Sequence, residues 1–92
     1  MTRIIVKELI WDDWNLEHIK KHNVLVSEAE EAGLNFVYHR VTYDGRYLAI
    51  GRTAQRILTL VLKRFSTGKY YPISARDSSK KERRELYEKE KK

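Results

Sequence analysis

The chain has no cysteine, a single proline and no long apolar segment. Without a thiol there is no disulfide, no thiolate zinc site and no cysteine nucleophile. A run of about 18 apolar residues is missing, and so is a basic N-terminal segment followed by an apolar one. We therefore expect a cytoplasmic protein with no membrane partner, whose chemistry rests on His, carboxylate, Arg, Lys and Tyr side chains.

The length and the charge distribution of the chain further limit its possible functions. The chain is long enough for one domain, residues 1–92, but too short for a deep, enclosed cofactor cavity. Residues 1–36 carry four Lys/Arg against seven Asp/Glu, whereas residues 37–92 carry fifteen against six. The basic second part suits a phosphate backbone or an acidic protein, and a surface that is merely solvated would have the same composition.

The N-terminal part predicts a strand followed by a short helix. Residues 3–11, RIIVKELIW, are rich in β-branched and apolar side chains and predict a first strand. The acidic pair that begins at Asp12 is a helix cap. Apolar and aromatic side chains recur at a spacing of three to four from Trp14 to His22, which predicts an amphipathic helix carrying this stripe. Asn23 can end the helix in the left-handed conformation.

Two local signals mark the next elements. SEAE, from Ser27 to Glu30, is a capping box and predicts a second helix that ends near Gly33. Further along, the hydrophobic period changes to two. Asp44-Gly45, between VYHRVTY and RYLAIGR, predicts a hairpin with a type I′ turn, because both residues accept positive φ angles.

The rest of the chain predicts two more strands and a helix. The apolar run from Ile57 to Leu62 predicts a central strand covered on both faces, and YYPISAR predicts another strand, with Pro72 at its start or at an edge. A capping box in SKKE, from Ser79, starts a polar helix whose few apolar residues predict weak anchoring. The sequence therefore predicts an α+β domain: a small, mainly antiparallel sheet of about five strands, two N-terminal helices and one C-terminal helix.

His18 and His22 lie four residues apart, on one face of the predicted first helix. A metal site needs a third or fourth ligand, and the Glu that follows the first His of a zinc-protease helix is replaced here by Ile19. We therefore expect no metal and no other cofactor. At least one of the pair is expected to pack near the tryptophans, and a catalytic role for the other stays open.

Arg52 and Arg76 end two predicted strands, a placement that suits phosphate binding because a guanidinium holds phosphate oxygens bidentately. The alternative is a salt bridge from each to a nearby aspartate or to a helix carboxylate. Six tyrosines interleave with the basic residues, where they either stack RNA bases or pack across strands. The further candidate RNA contacts are Arg40, Arg46, Arg56, Arg64, Lys80 and Arg84.

The series WDDWNLEHIKKHNV, GRYLAIGRT, ISARD and KKERRELYE resembles the BrnT family, type II toxins with a fold related to the RelE ribonucleases. The resemblance spans almost the whole chain in the same element order. The family's Lys-His-Gly-Val matches residues 21–24, with Asn23 in place of glycine, and its Ile-Ser-Ala-Arg matches residues 73–76. The Phe-x-Asp that precedes the family's second strand is present only as NFVYHR.

The resemblance implies a RelE-like fold and a ribonuclease that acts without a metal. It also implies a cognate antitoxin, encoded by a neighbouring gene, that carries a DNA-binding domain. Cleavage by 2′-hydroxyl attack needs a proton acceptor, cations on the phosphate and a proton donor. We assign proton transfer to His22, the phosphate to Arg52 and Arg76, and auxiliary roles to Lys21 and Tyr87. The alternative is a non-catalytic basic module that binds RNA or an acidic partner protein.

Overall fold

The computed structural model describes residues 4–91, so residue 3 of the predicted first strand lies outside the described part. In chain order the elements are β1 (Glu8–Leu9), α1 (Asp13–Lys21), α2 (Val26–Leu34), β2 (Tyr38–Val41), a 3₁₀ turn (Tyr43–Gly45), β3 (Arg46–Arg52), β4 (Ile57–Ser66), β5 (Lys69–Asp77) and α3 (Lys80–Glu90). The predicted α+β class and element order are confirmed. The first strand is shorter than predicted.

The five strands form one mixed sheet in the order β1-β5-β4-β3-β2. Strands β2 to β5 make an antiparallel meander, whereas β1 pairs with β5 in parallel. The hairpin between β2 and β3 has the predicted turn: Asp44 and Gly45 have φ angles of 66° and 69°, and the Arg46 N–H donates to the Tyr43 carbonyl.

Helices cover both faces of the sheet, with α1 and α2 on one face and α3 on the other. The larger core joins Ile19, Ala29 and Ala32 to the inward side chains of β3, β4 and β5. The smaller core joins Leu86 of α3 to Leu48, Ile50 and Ile57. Residues 57–62 of β4 are therefore covered on both faces, as predicted. Leu86 is fully buried and joins α3 to this core, while the weak anchoring of the rest of α3 stays a prediction.

The close approach of α2 to the sheet depends on a glycine. A Cβ atom built on Gly51 would lie 2.1 Å from the carbonyl oxygen of Ala32. Any side chain at this position of β3 would therefore push the helix away from the strand.

The buried face of α1 differs from the predicted stripe. Asn15 and Ile19 are the buried residues, whereas Trp14 and His22 are exposed, so only the Ile19 position of the predicted stripe faces the core. The Asn15 amide donates to the carbonyls of Ile10 (2.9 Å) and Pro72 (3.1 Å), and its oxygen accepts the Asp12 N–H. A buried polar residue, which a hydrophobic pattern does not identify, thus attaches α1 to β5.

Two helix ends were predicted correctly and one was not. Asn23 has φ of 58° after the last turn of α1, and the Ser79 hydroxyl caps α3, both as predicted. Helix α2 begins at Val26, and the Glu28 carboxylate accepts the Leu25 N–H at 3.0 Å. The predicted capping box of Ser27 and Glu30 is therefore wrong by two residues, because the N-cap is Leu25 and its reciprocal partner is Glu28.

Candidate functional site

The sheet face toward α3, called the outer face here, brings together basic residues from several strands. Directly paired residues of antiparallel strands share a face, and two cross-strand rows carry cations. The first row is Arg46, Lys63 and Tyr71, and a second is Ile50, Thr59 and Arg76. Helix α3 covers the second row, since Glu82 bonds Thr59 and Arg76. Lys63 in the first row is exposed.

A groove beside the first row combines cations with aromatic rings. Its volume is about 410 Å³. The residues that line this aromatic groove are Trp14, Arg46, Lys63, Arg64, Phe65, Tyr71 and Ile73. Trp14 is 56% exposed and Phe65 72% exposed, which is unusual for side chains of this size.

Trp14, His18 and His22 form a row of aromatic rings along α1 and its C-terminal end, and this row leads away from the groove. The His18 ring stacks on Trp14 at 5.0 Å between centroids with an interplanar angle of 7°, which agrees with the predicted packing of His18. The exposed His22 ring meets His18 edge-on at 5.6 Å. His22 also caps the C-terminal end of α1, where its N–H donates to the Ile19 carbonyl. The catalytic role of His22 stays a prediction.

A second cleft lies where β3 ends and β4 begins. This strand-end cleft has a volume of about 350 Å³ and is lined by Arg52, Thr53, Ala54, Gln55, Arg56, Ile57, Asp77 and Arg83. Arg56 is its centre: the guanidinium donates to Glu28 at 2.6 Å, to Asp77 at 3.3 Å and to the Asn23 carbonyl. Its bond to Glu28 raises the pKa of Arg56. The turn that follows His22 is therefore held beside the cleft.

Arg52 and Tyr87, two predicted site residues, are in contact at this end of the sheet. The Arg52 guanidinium lies 5.7 Å from the centre of the Tyr87 ring. Its Nε and Nη2 atoms donate to the Glu90 carboxylate at 2.7 and 2.9 Å, and these bonds lower the pKa of Glu90. A phosphate at Arg52 would have to displace Glu90 or bind the remaining Nη1 edge.

Arg76 belongs to a buried hydrogen-bonded network. Glu82, only 6% exposed, accepts from both Nη atoms of Arg76 at 2.7 and 2.9 Å, from the Ser79 N–H and from the Thr59 hydroxyl. Burial alone would raise the pKa of Glu82, but the bonds from Arg76, Ser79 and Thr59 outweigh it and lower the pKa to about 2. The salt-bridge alternative considered for Arg76 and Arg52 is thus the arrangement in this structure.

The other predicted site residues are dispersed. Arg46 and Arg64 line the aromatic groove, and Arg56 lines the strand-end cleft. Arg84 borders a separate groove of about 510 Å³ between β2 and α3. Exposed positions elsewhere on the surface are occupied by Lys21, Arg40 and Lys80. The predicted RNA contacts therefore lie at three separate clefts or elsewhere on the surface, and they do not form a single site.

The sequence analysis did not identify several residues that line the two clefts. The residues it missed are Trp14, Lys63, Phe65 and Arg83, whereas Tyr71 is one of the six tyrosines considered for base stacking. Alternation along β4 was an available signal, because Lys63 and Phe65 are two residues apart and so project from one face. No pattern in the sequence places Trp14 beside them, since that depends on how α1 packs on β5.

Among residues 4–91 no group of three or more His, Asp or Glu side chains is arranged to hold a metal ion. No helix there is long and apolar enough to cross a membrane.

The chain is similar in structure to the ribonuclease toxin BrnT of Brucella abortus, a 1.1 Å crystal structure. The TM-score is 0.57 at 22% sequence identity, and the match covers 79% of this chain and 97% of that chain. No protein-family model matches the chain, and a search of curated proteins finds no match. At this identity the similarity concerns the fold. The resemblance inferred from the sequence motifs is thus confirmed as a shared fold: this chain has the fold of BrnT.

Proposed function

We propose that the protein is a metal-independent ribonuclease toxin that acts in the cytoplasm. It cleaves RNA by attack of a 2′-hydroxyl on the adjacent phosphate. The proposal is carried by one arrangement: Arg52, Arg56 and Arg83 line one cleft, next to the turn after His22, in a fold shared with a ribonuclease toxin. Cationic donors fixed around a phosphate stabilise the charge that develops during its displacement.

His22 transfers the proton in this proposal. It is exposed at the end of α1, where a substrate can reach it, and imidazoles exchange protons near neutral pH. Arg52, in the strand-end cleft, binds the phosphate together with Arg76, which lies outside the cleft lining but hydrogen-bonds the backbone carbonyl of the cleft residue Asp77. Each guanidinium is held in a fixed orientation by a bidentate carboxylate of α3. Lys21, next to His22, and Tyr87, beneath Arg52, are auxiliary groups.

The surrounding basic residues bind the rest of the RNA. They are Arg40, Arg46, Arg56, Arg64, Lys80 and Arg84. A cognate antitoxin neutralises the protein by covering this basic surface, because a toxin whose substrate is abundant RNA needs its cationic face blocked.

The test is a cleavage assay with an unstructured RNA oligonucleotide in EDTA. We expect products with 2′,3′-cyclic phosphate ends. His22→Gln should lower the rate by roughly 100-fold or more, in the range for a general acid–base group. Lys20→Gln, at another exposed position of α1, is the matched control and should be fully active. Cleavage that requires added metal, or a fully active His22→Gln, would refute this mechanism.

A second candidate is a non-catalytic module that binds RNA or an acidic protein. It is favoured by the ion pairs of three arginines that were predicted to contact RNA, since Arg52, Arg56 and Arg76 bind Glu90, Glu28 and Glu82. In that case the protein retains the oligonucleotide intact under the same conditions, and His22→Gln does not alter its affinity.

A further inference from the structure

We propose that the aromatic groove is a binding site for single-stranded RNA, in which unpaired bases stack on Trp14 and Phe65 and phosphates bind Arg46, Lys63 and Arg64. The inference rests on the proposed function for its ligand class. It adds a substrate-binding site, separate from the strand-end cleft, that restricts the protein to unpaired RNA.

Two of the three aromatic rings that line the groove, Trp14 and Tyr71, are held in place by neighbouring side chains. His18 stacks on the Trp14 ring and fixes its plane. The Tyr71 hydroxyl donates to both carboxylate oxygens of Asp12, at 2.8 and 3.0 Å, and so holds a second ring. Rings held in place lose little conformational freedom when a ligand stacks on them. Exposed aromatic side chains that are fixed in this way are suited to base stacking.

The cations of the groove are held less tightly than those of the strand-end cleft. The closest approach of Arg46 to Asp44 is 3.9 Å, and Arg64 donates to the Thr67 hydroxyl at 3.4 Å. The closest ion pairs of Arg52 and Arg56, with Glu90 and Glu28, have distances of 2.7 and 2.6 Å. A phosphate can therefore recruit Arg46 and Arg64 without breaking a short ion pair. Asp12 contributes a negative charge near Tyr71, at the side of the groove toward α1.

The combination of rings and cations favours unpaired RNA over other polyanions. A duplex hides the faces of its bases in its own stack, so it would meet the cations but not Trp14 or Phe65. An acidic peptide would likewise use the charges without the rings. Base stacking on an aromatic side chain contributes roughly 5- to 150-fold in affinity per base, which makes the ring contribution measurable.

Fluorescence anisotropy with a labelled 2′-O-methyl oligouridine tests the proposal in the full chain. This oligonucleotide lacks the attacking hydroxyl, so binding is measured without cleavage. We expect Trp14→Leu and Phe65→Ser each to weaken binding at least fivefold. Tyr43→Ser is the matched control, because Tyr43 is 85% exposed but lies in the β2–β3 turn, and its affinity should match the wild type. Thermal melts verify that each variant is folded.

Two further measurements separate charge from stacking. Lys63→Gln should lower the slope of log affinity against log salt by about one unit, whereas Lys20→Gln should leave the slope unchanged. Annealing the oligonucleotide to its complement should abolish the dependence on Trp14. Wild-type affinity in both Trp14→Leu and Phe65→Ser would overturn the proposal. The proposal would also be overturned if a polyglutamate peptide of equal charge bound the protein and lost the same affinity in Trp14→Leu.

The outcomes also distinguish this site from the proposed catalysis. If the wild type does not cleave RNA but binds the oligonucleotide through Trp14 and Phe65, the groove is supported and the ribonuclease proposal fails. If cleavage depends on His22 while both groove variants bind and cleave like the wild type, the groove proposal fails and the ribonuclease proposal stands.

Discussion

Replacing Glu82 by glutamine retains the shape of the side chain and removes the charge that binds Arg76. In the folded protein the pKa of Glu82 is about 2, against an ordinary value of 4.5. One pKa unit corresponds to 1.36 kcal/mol, so the charged form contributes up to about 3 kcal/mol to the free energy of unfolding at pH 7. The Arg76 side chain is 35% exposed, and solvent screening reduces this to about 2 to 3 kcal/mol.

The sign of the pH dependence follows from the lowered pKa. A carboxyl group that is more acidic in the folded state stabilises the protein above the unfolded pKa, and this stabilisation is lost as the pH falls through the folded pKa. The loss therefore takes place between about pH 4.5 and pH 2. We expect the difference in free energy of unfolding between the wild type and Glu82→Gln to fall to roughly half its pH 7 value by pH 3.

Urea unfolding of both proteins at pH 7, 4.5 and 3 measures this difference. Glu90→Gln is the matched control, because Glu90 makes the same bidentate contact with Arg52 at the exposed end of α3. Solvent screening makes the exposed pair the weaker one, so Glu90→Gln should destabilise the protein less. The reasoning would be refuted if Glu82→Gln lowered the free energy of unfolding by the same amount at pH 7 and pH 3. It would also be refuted if this loss were no larger than the loss caused by Glu90→Gln.

Three other predictions concern the packing and the histidines. Gly51→Ala should destabilise the fold by roughly 1 to 3 kcal/mol in urea unfolding, because the added methyl group meets the Ala32 carbonyl. Asn15→Leu should cost roughly 1 to 3 kcal/mol in the same assay, since the buried Pro72 carbonyl and the partly buried Ile10 carbonyl lose their donor. Stoichiometric zinc should not raise the melting temperature of the wild type, and a wild type stabilised by zinc would contradict the expectation of no metal site. His18→Ala should lower the melting temperature, because the substitution removes the ring that stacks on Trp14.

Local signals in the sequence determined the order and kind of the elements. Asp44 and Gly45 specify their turn because both accept positive φ, and Ser79 with Glu82 specifies the start of α3, since each partner lies within one helical turn. The same locality explains the placement of Arg52 and Arg76 at or near strand ends, which follows from where the hydrophobic runs stop. Interactions over a few residues suffice for these features.

Only the tertiary structure decided which groups meet. Arg52 binds Glu90, 38 residues away, and Arg56 binds Glu28, 28 residues away, and no local pattern identifies such partners. Trp14 reaches Lys63 because α1 packs along β5 and because the register of the sheet fixes which side chains share the outer face. A register shift of one residue would turn those side chains to the opposite face, so the composition of the groove is a property of the packed sheet.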